Sequence, residues 1–226
     1  MATAGKRITR KQLRQPDRFQ VWTEQAVESF RRNKTLAATA LAAVLLLGAA
    51  IWAWQIFKER QNVAAAREFG VALELYQADK HAEAIAAFEK VKDYRWSRYA
   101  VLAHLYLANS YLVTNDLDKA VSEGQRSLAA TRPTSLYRQI ALTTLATAEE
   151  RKNQCENAIE HYSEAQRING ALQNRALLGK ARCAEALGDT AGAIAAYKDY
   201  LKENPGSPLA IKVAELEAKA LGAPAS

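Results

Sequence analysis

The sequence has little cysteine, glycine and proline. Among its 226 residues are two Cys, ten Gly and five Pro. Two cysteines cannot hold a disulfide-dense small domain, and so few turn-forming residues argue against a barrel or sandwich of many short strands. Hydrophobic residues make up 49% of the chain, which excludes a disordered polar tract. With alanine and leucine abundant, the composition predicts an all-α fold.

The sequence also lacks the motifs that carry catalysis. It contains no Gly-rich phosphate loop, nucleophile elbow, HExxH or paired CxxC. The three histidines, His81, His104 and His161, show no ligand spacing and are interpreted as ordinary helix residues. We therefore expect no enzyme activity, no metal, no cofactor and no small-molecule substrate.

Charge of one sign is concentrated at the N-terminus. The formal net charge is +7, but residues 1–34 hold nine Lys and Arg against three Asp and Glu, whereas residues 58–226 hold 22 against 21. The main part of the chain is thus nearly neutral, so nucleic-acid binding is not indicated. Within this basic tail, a short amphipathic helix after Pro16 and a mobile segment are both compatible with the pattern.

An uncharged run of 22 residues extends from Leu36 to Phe57. As a helix it would be about 33 Å long, enough for a hydrocarbon core of about 30 Å. A cleaved signal peptide and a buried core helix are the alternatives, but the charged lead is long for the first and the run is long for the second. The basic lead predicts that the N-terminus stays in the cytoplasm. We predict a cytoplasmic tail over 1–34 and a single transmembrane helix over 35–57.

The rest of the chain repeats itself. Small residues recur in two columns at spacings of 36, 38 and 35 residues: Ala72, Ala108, Ala146 and Ala181, and Ala84, Ala120, Ala158 and Ala193. This period predicts an α-solenoid of about four tetratricopeptide (TPR-like) repeats. We expect the repeat domain over 58–221, with repeats near 65–96, 101–133, 139–170 and 174–207, a capping helix over 208–221 and a tail over 222–226. Gly124 stands where a bulky residue is expected, which predicts looser packing there.

Binding in such solenoids uses the concave face, which the first helix of each repeat lines. The repeat register predicts that eight groove residues lie on this face: Phe69, Leu73, Tyr76, Leu105, Asn109, Leu112, Arg175 and Arg182. They suggest a groove that is apolar at repeat one and basic at repeat four. The alternative is that Phe69, Leu73 and Leu105 pack between helices.

Two cysteines fall in neighbouring repeats. Cys155 opens the second helix of repeat three, and Cys183 lies in the first helix of repeat four. Stacked repeats can bring these places together, so an oxidising compartment would permit a disulfide between them. Two unpaired, partly buried thiols are the alternative.

Residues 26–73, AVESFRRNKTLAATALAAVLLLGAAIWAWQIFKERQNVAAAREFGVAL, resemble the ancillary subunit family of the SecYEG translocon. The resemblance implies a single-pass bacterial inner-membrane protein with a periplasmic repeat domain. It further implies a translocon-associated chaperone adaptor for secreted or outer-membrane proteins, whose partners are SecYEG, periplasmic chaperones or unfolded clients. The alternative function is a structural scaffold subunit of a secretion, pilus or division complex.

Overall fold

The computed structural model of the protein describes residues 22–24, 27–28, 33–133 and 135–222. Most of the basic tail and the last four residues therefore lie outside the described residues. From residue 33 onwards the described chain is helical, with no strand. The helices are α1 Lys34–Gln77, α2 His81–Lys92, α3 Arg98–Val113, α4 Leu117–Ala130, α5 Leu136–Arg151, α6 Cys155–Arg167, α7 Gln173–Ala186, α8 Thr190–Glu203 and α9 Leu209–Ala220. The predicted all-α fold is confirmed.

The chain divides into two compact units, one ending at Phe57 and one starting at Lys58. The first unit contains the apolar part of α1, whose most hydrophobic stretch of 18 residues has no buried residue. By length and composition this helix could cross a membrane. At the end of the apolar part of α1, the rings of Trp54 and Phe57 stack with their centroids 5.8 Å apart.

The second unit is a stack of helical hairpins. The end of α1 pairs with α2, and the pairs α3–α4, α5–α6 and α7–α8 follow. Each helix from α2 onwards packs on the next one, and α9 packs on α8. The first helices of successive hairpins also touch, α3 with α5 and α5 with α7. This pattern of near-neighbour contacts is that of a solenoid.

The two columns of small residues lie inside the stack of helices. All eight alanines of these columns are fully buried. A larger side chain at such a position would separate the helix backbones, because protein interiors leave no room for it. The spacing seen in the sequence is therefore the spacing of buried positions in successive repeats.

The turns inside the four hairpins share one backbone conformation. Asp79, Asn115, Asn153 and Gly188 have positive φ angles of 56°, 64°, 60° and 78°. Asn, Asp and Gly adopt this left-handed region most readily, so the sequence places suitable residues at each hairpin turn.

Gly124 does not leave a gap in the second repeat. A Cβ at this position would lie 3.3 Å from the Cβ of Leu145 on α5. Leu145 is itself fully buried. The next repeat thus packs closely against Gly124, and the looser packing expected from the sequence is corrected by this contact.

Candidate protein-binding groove

The predicted groove residues divide by exposure. Phe69, Leu105 and Leu112 are buried, with 8%, 5% and 8% of their surfaces exposed. Leu73, Tyr76 and Asn109 are half-buried, and Arg175 and Arg182 are exposed. The buried positions of Phe69 and Leu105 fit the alternative interpretation, in which these side chains pack between helices.

Phe69 lies in a cluster of aromatic rings that joins the first two repeats. Its ring centroid is 5.5 Å from that of Phe88, 5.4 Å from that of Tyr99 and 5.4 Å from that of Tyr106. Tyr76 meets Tyr106 edge-on at 5.2 Å. Such pairs add to the stability that burial alone gives.

Sequence reasoning did not single out Tyr99 and Tyr106. A signal was present, because Tyr99 and Tyr106 are seven residues apart, as are Phe69 and Tyr76. Two aromatic residues separated by two helical turns lie on one helix face. The matching pairs on α1 and α3 therefore indicated one shared cluster.

Asn109 links successive first helices through its side-chain amide. Its Nδ2 donates to the Leu105 carbonyl at 3.0 Å, and its Oδ1 accepts from the Thr144 hydroxyl on α5 at 3.3 Å. Both ends of the amide thus have partners within the solenoid.

Arg182 is held by an acidic residue of the previous repeat. Its Nε and Nη2 donate to the two carboxylate oxygens of Glu150 at 2.6 and 2.9 Å. The hydroxyl of Tyr162 also donates to Glu150, at 2.7 Å. A two-pronged pair of this kind fixes the guanidinium and neutralises its charge. The predicted basic character at repeat four is therefore reduced to Arg175.

The same arrangement returns one repeat later. The hydroxyl of Tyr197 donates to Glu185 at 3.0 Å, and Lys212 on α9 pairs with that carboxylate at 2.8 Å. Chain spacing is the same in both cases, since each tyrosine follows its glutamate by twelve residues. A bonded Glu–Tyr pair therefore marks the third and fourth hairpins.

A buried carboxylate joins the first and second repeats. Glu123 is 5% exposed. Its oxygens lie 2.5 Å from His104 Nδ1, 2.9 Å from Arg126 and 3.3 Å from Lys92. Burial acts to raise the pKa of Glu123, but the contacts with His104 and Lys92 outweigh it and lower the pKa.

The buried Glu149 carboxylate has one imidazole partner, His161, whose Nδ1 lies 2.7 Å from it. This hydrogen bond raises the pKa of His161 above its ordinary value of about 6.5. A raised pKa in the folded state stabilises the protein below the unfolded pKa, and this stability is lost as pH rises through the folded pKa.

We therefore expect the free energy of unfolding to fall between about pH 6 and about pH 8, where histidine titrates. Denaturant titrations at both ends of this range measure the fall, with His161→Gln as the control. If the variant shows the same pH dependence as the natural chain, His161 is not its source.

No group of three His, Cys, Asp or Glu side chains arranged to hold a metal ion occurs in the described part of the chain. The three histidines lie on α2, α3 and α6.

The sequence of the repeat domain matches a known repeat family. The tetratricopeptide repeat family matches residues 69–134 and 143–208, more than half of the chain. The chain belongs to the tetratricopeptide repeat family. Each matched block contains two hairpins, and the two blocks start at equivalent positions of the first helix, Phe69 and Thr143.

Among solved structures, the chain is similar to one titled "Crystal structure of MamA protein". The TM-score is 0.62 at 19% sequence identity, over 70% of this chain and 82% of the other. At this identity the likeness shows the fold alone. A search of the curated proteins found no match. Tetratricopeptide repeats imply a scaffold for protein–protein interaction, and that is the general role of this solenoid.

The two cysteines lie together between the third and fourth tetratricopeptide repeats. Both are buried free thiols in one core cluster, and they contact each other. Burial, with Cys155 beside it, raises the pKa of Cys183. A low fraction of thiolate makes Cys183 slow to react while the fold is intact.

The disulfide between Cys155 and Cys183 stays a prediction. Intact-mass measurement of chain isolated from its native compartment, with free thiols alkylated under denaturing conditions, distinguishes the two forms. The bonded form takes up no alkyl group without reductant, whereas two added groups would show that the thiols remain free.

Proposed function

We propose that the protein is anchored in the bacterial inner membrane by α1, with its N-terminus in the cytoplasm and its tetratricopeptide domain binding protein partners in the periplasm. The observation that carries the proposal is the apolar stretch of α1, which has no buried residue and follows a basic lead. An apolar helix of this length left uncovered in water would be strongly unfavourable, so a bilayer is its fitting environment.

Fusing the full chain to a reporter enzyme that is active only outside the cytoplasm tests the orientation. We expect activity from a reporter placed after Ser226 and none from one placed before Met1. The reverse pattern would show that the repeats lie in the cytoplasm. Intact mass of the membrane-bound chain tests cleavage, since a signal peptide would be missing from it.

For the partner, we propose the SecYEG translocon, with the repeat domain acting as an adaptor for periplasmic chaperones. The resemblance of residues 26–73 to the ancillary translocon subunits supports this role. A photo-crosslinking amino acid placed at Arg175, an exposed groove position, should attach SecYEG or a chaperone in intact cells. The matched control is Glu160, an exposed position on the outer helix α6. Repeated absence of both partners would contradict the adaptor role.

A structural scaffold in an envelope complex is the second candidate, and one observation favours it. The apolar groove residues Phe69, Leu105 and Leu112 are buried, so they offer little surface to an extended unfolded client. A folded partner held through polar contacts suits this groove better. Recovery of a complex of fixed stoichiometry without SecYEG, crosslinked at Arg175 but not at Glu160, would support the scaffold over the adaptor.

A further inference from the structure

The near-neutral repeat domain carries its charges unevenly, on two opposite edges. Hairpin stacking places the turns within hairpins along one edge and the turns between hairpins along the other. One contact at each edge illustrates this arrangement. Arg138 at the start of α5 pairs with Glu164 near the end of α6 at 2.6 Å, whereas Arg151 at the end of α5 donates to the Leu112 carbonyl at the end of α3 at 2.6 Å.

The edge with the turns between hairpins carries exposed arginines, and we call it the basic edge. It is defined by Arg95, Arg98, Arg132 and Arg167. Within the described residues none of these four takes part in a salt bridge. The acidic residues Glu59, Asp93 and Glu203 also lie there. Within the described residues, none of these three carboxylates forms a salt bridge with any of the four arginines.

The opposite edge differs because it carries charges of both signs, and some of them are paired. Lys119 pairs with Asp116 at 2.8 Å, and Lys152 pairs with Asp118. Further acidic residues, Asp79, Glu156 and Asp189, lie in or beside the turns of this edge. Four exposed arginines without a salt bridge thus lie on the basic edge, whereas acidic side chains accompany the lysines of the opposite edge.

Large apolar side chains stand among the arginines of the basic edge. Trp96, Leu136 and Tyr137 are 53%, 55% and 51% exposed. Tryptophan and tyrosine are the residues that favour the membrane–water interface, where one side of the ring meets lipid and the other water. Arginine beside such rings matches an anionic lipid headgroup.

The basic edge is also tied to the start of the repeat unit. The backbone N–H of Arg98 donates to the side chain of Asn62 at 3.2 Å. Asn62 follows Phe57 by five residues, a span of at most about 18 Å even when fully extended. Whatever the arrangement of the two units, the basic edge begins within this reach of the end of the apolar segment.

We propose that the basic edge is a second membrane contact, which binds an anionic lipid surface through Arg95, Arg98, Arg132 and Arg167 and inserts Trp96 at the interface. This inference rests on the proposed membrane anchor, and it adds a contact that orients the repeat domain. A domain held at two places presents its groove in a fixed direction relative to the bilayer.

Fluorescence quenching by brominated lipids in nanodiscs tests the contact in the full chain. A variant with Trp22, Trp52 and Trp54 changed to Phe leaves Trp96 as the reporter, and a second variant that keeps Trp52 alone reports on the anchor. We expect Trp52 to be quenched in every lipid, and Trp96 to be quenched more strongly in nanodiscs with anionic phosphatidylglycerol than in zwitterionic ones.

Charge variants then test the arginines. Arg95→Gln and, independently, Arg132→Gln should each lower about fivefold the ratio of molecules whose basic edge contacts lipid to molecules whose basic edge does not. This ratio is read from the quenching of Trp96. Lys80→Gln on the opposite edge is the matched control and should leave Trp96 quenching unchanged. Because Arg132 lies in a different turn from Trp96, its effect does not depend on the local structure around the reporter.

The outcomes separate the two proposals. Quenching of Trp52 without quenching of Trp96 would overturn the second contact and leave the anchor standing. Quenching of Trp96 that ignores both anionic lipid and the arginine variants would overturn the role of the basic edge. Absence of Trp52 quenching would overturn the anchor, and the second contact with it.

Discussion

Substituting Gly179 by alanine is expected to destabilise the repeat domain by about 3 kcal/mol, the cost of adding a methyl group to a closely packed site. A Cβ on Gly179 would lie 2.2 Å from Cζ of the Tyr162 ring, and 2.5 and 2.6 Å from the two neighbouring ring carbons. Gly179 lies inside helix α7, where alanine normally stabilises by about 1 kcal/mol relative to glycine. The contact with Tyr162 therefore reverses the usual sign.

Tyr162 cannot move aside easily. It is 1% exposed, and its hydroxyl donates to Glu150 at 2.7 Å and lies 3.1 Å from the hydroxyl of Thr147. Moving the ring would break this network, which also holds Arg182. The methyl group must then push α7 away from α6, and these two helices pack closely.

Denaturant unfolding of the full chain in detergent measures the effect. Gly70→Ala is the matched control, because Gly70 also lies in a helix and a Cβ there would meet nothing within 4 Å. We expect Gly70→Ala to leave stability unchanged or to raise it. If the free energy of unfolding of Gly179→Ala were no lower than that of Gly70→Ala, the predicted clash with Tyr162 would be contradicted.

The features that the sequence predicted are those fixed by short-range sterics. The alanine columns, from which the repeats were predicted, follow from helix packing that recurs once per repeat, and the left-handed turns at Asn115, Asn153 and Gly188 recur with the same period. Both requirements act within about one repeat, so they leave a periodic trace. For this reason the all-helical solenoid could be predicted without a structure.

The groove was harder to predict, because it depends on contacts between repeats. The bidentate pair of Arg182 with Glu150 joins residues 32 positions apart, and the Glu123 carboxylate gathers side chains from three helices. Such pairs depend on how far each hairpin turns relative to the previous one. The register gives the face of the helix on which a side chain lies, but not which neighbour it meets.

The close approach at Gly179 illustrates the same limit. Gly179 lies two residues before the column alanine Ala181, so the repeat pattern gave it no special role. Its requirement for a missing side chain arises from the ring of Tyr162 in the previous repeat. A single sequence shows the glycine but not the ring that it accommodates.

Replacing Gln139 by leucine is expected to destabilise the domain by about 3 kcal/mol, because polar backbone groups would lose partners in a buried site. Gln139 is fully buried at the start of α5. Its Nε2 donates to the Ile168 carbonyl at 2.7 Å and the Ala165 carbonyl at 3.2 Å, and its Oε1 accepts from the Leu172 N–H at 3.4 Å. The Gln139 side chain thus supplies hydrogen-bond partners to backbone groups of the turn after α6.

Leucine fills a similar volume, so the loss is one of hydrogen bonding and not of packing. The Ala165 carbonyl keeps the Ile168 N–H as a partner, at 3.2 Å, so the Ile168 carbonyl and the Leu172 N–H bear most of the cost. Gln125→Leu on α4 is the matched control, since Gln125 is exposed and its replacement should change stability little. The free energy of unfolding of both variants in denaturant measures the difference, and hydrogen exchange locates it: faster exchange confined to residues 165–173 in Gln139→Leu is the expected pattern. Equal stability of the two variants would show that water satisfies these carbonyls, and that the junction between the third and fourth repeats does not depend on a buried amide.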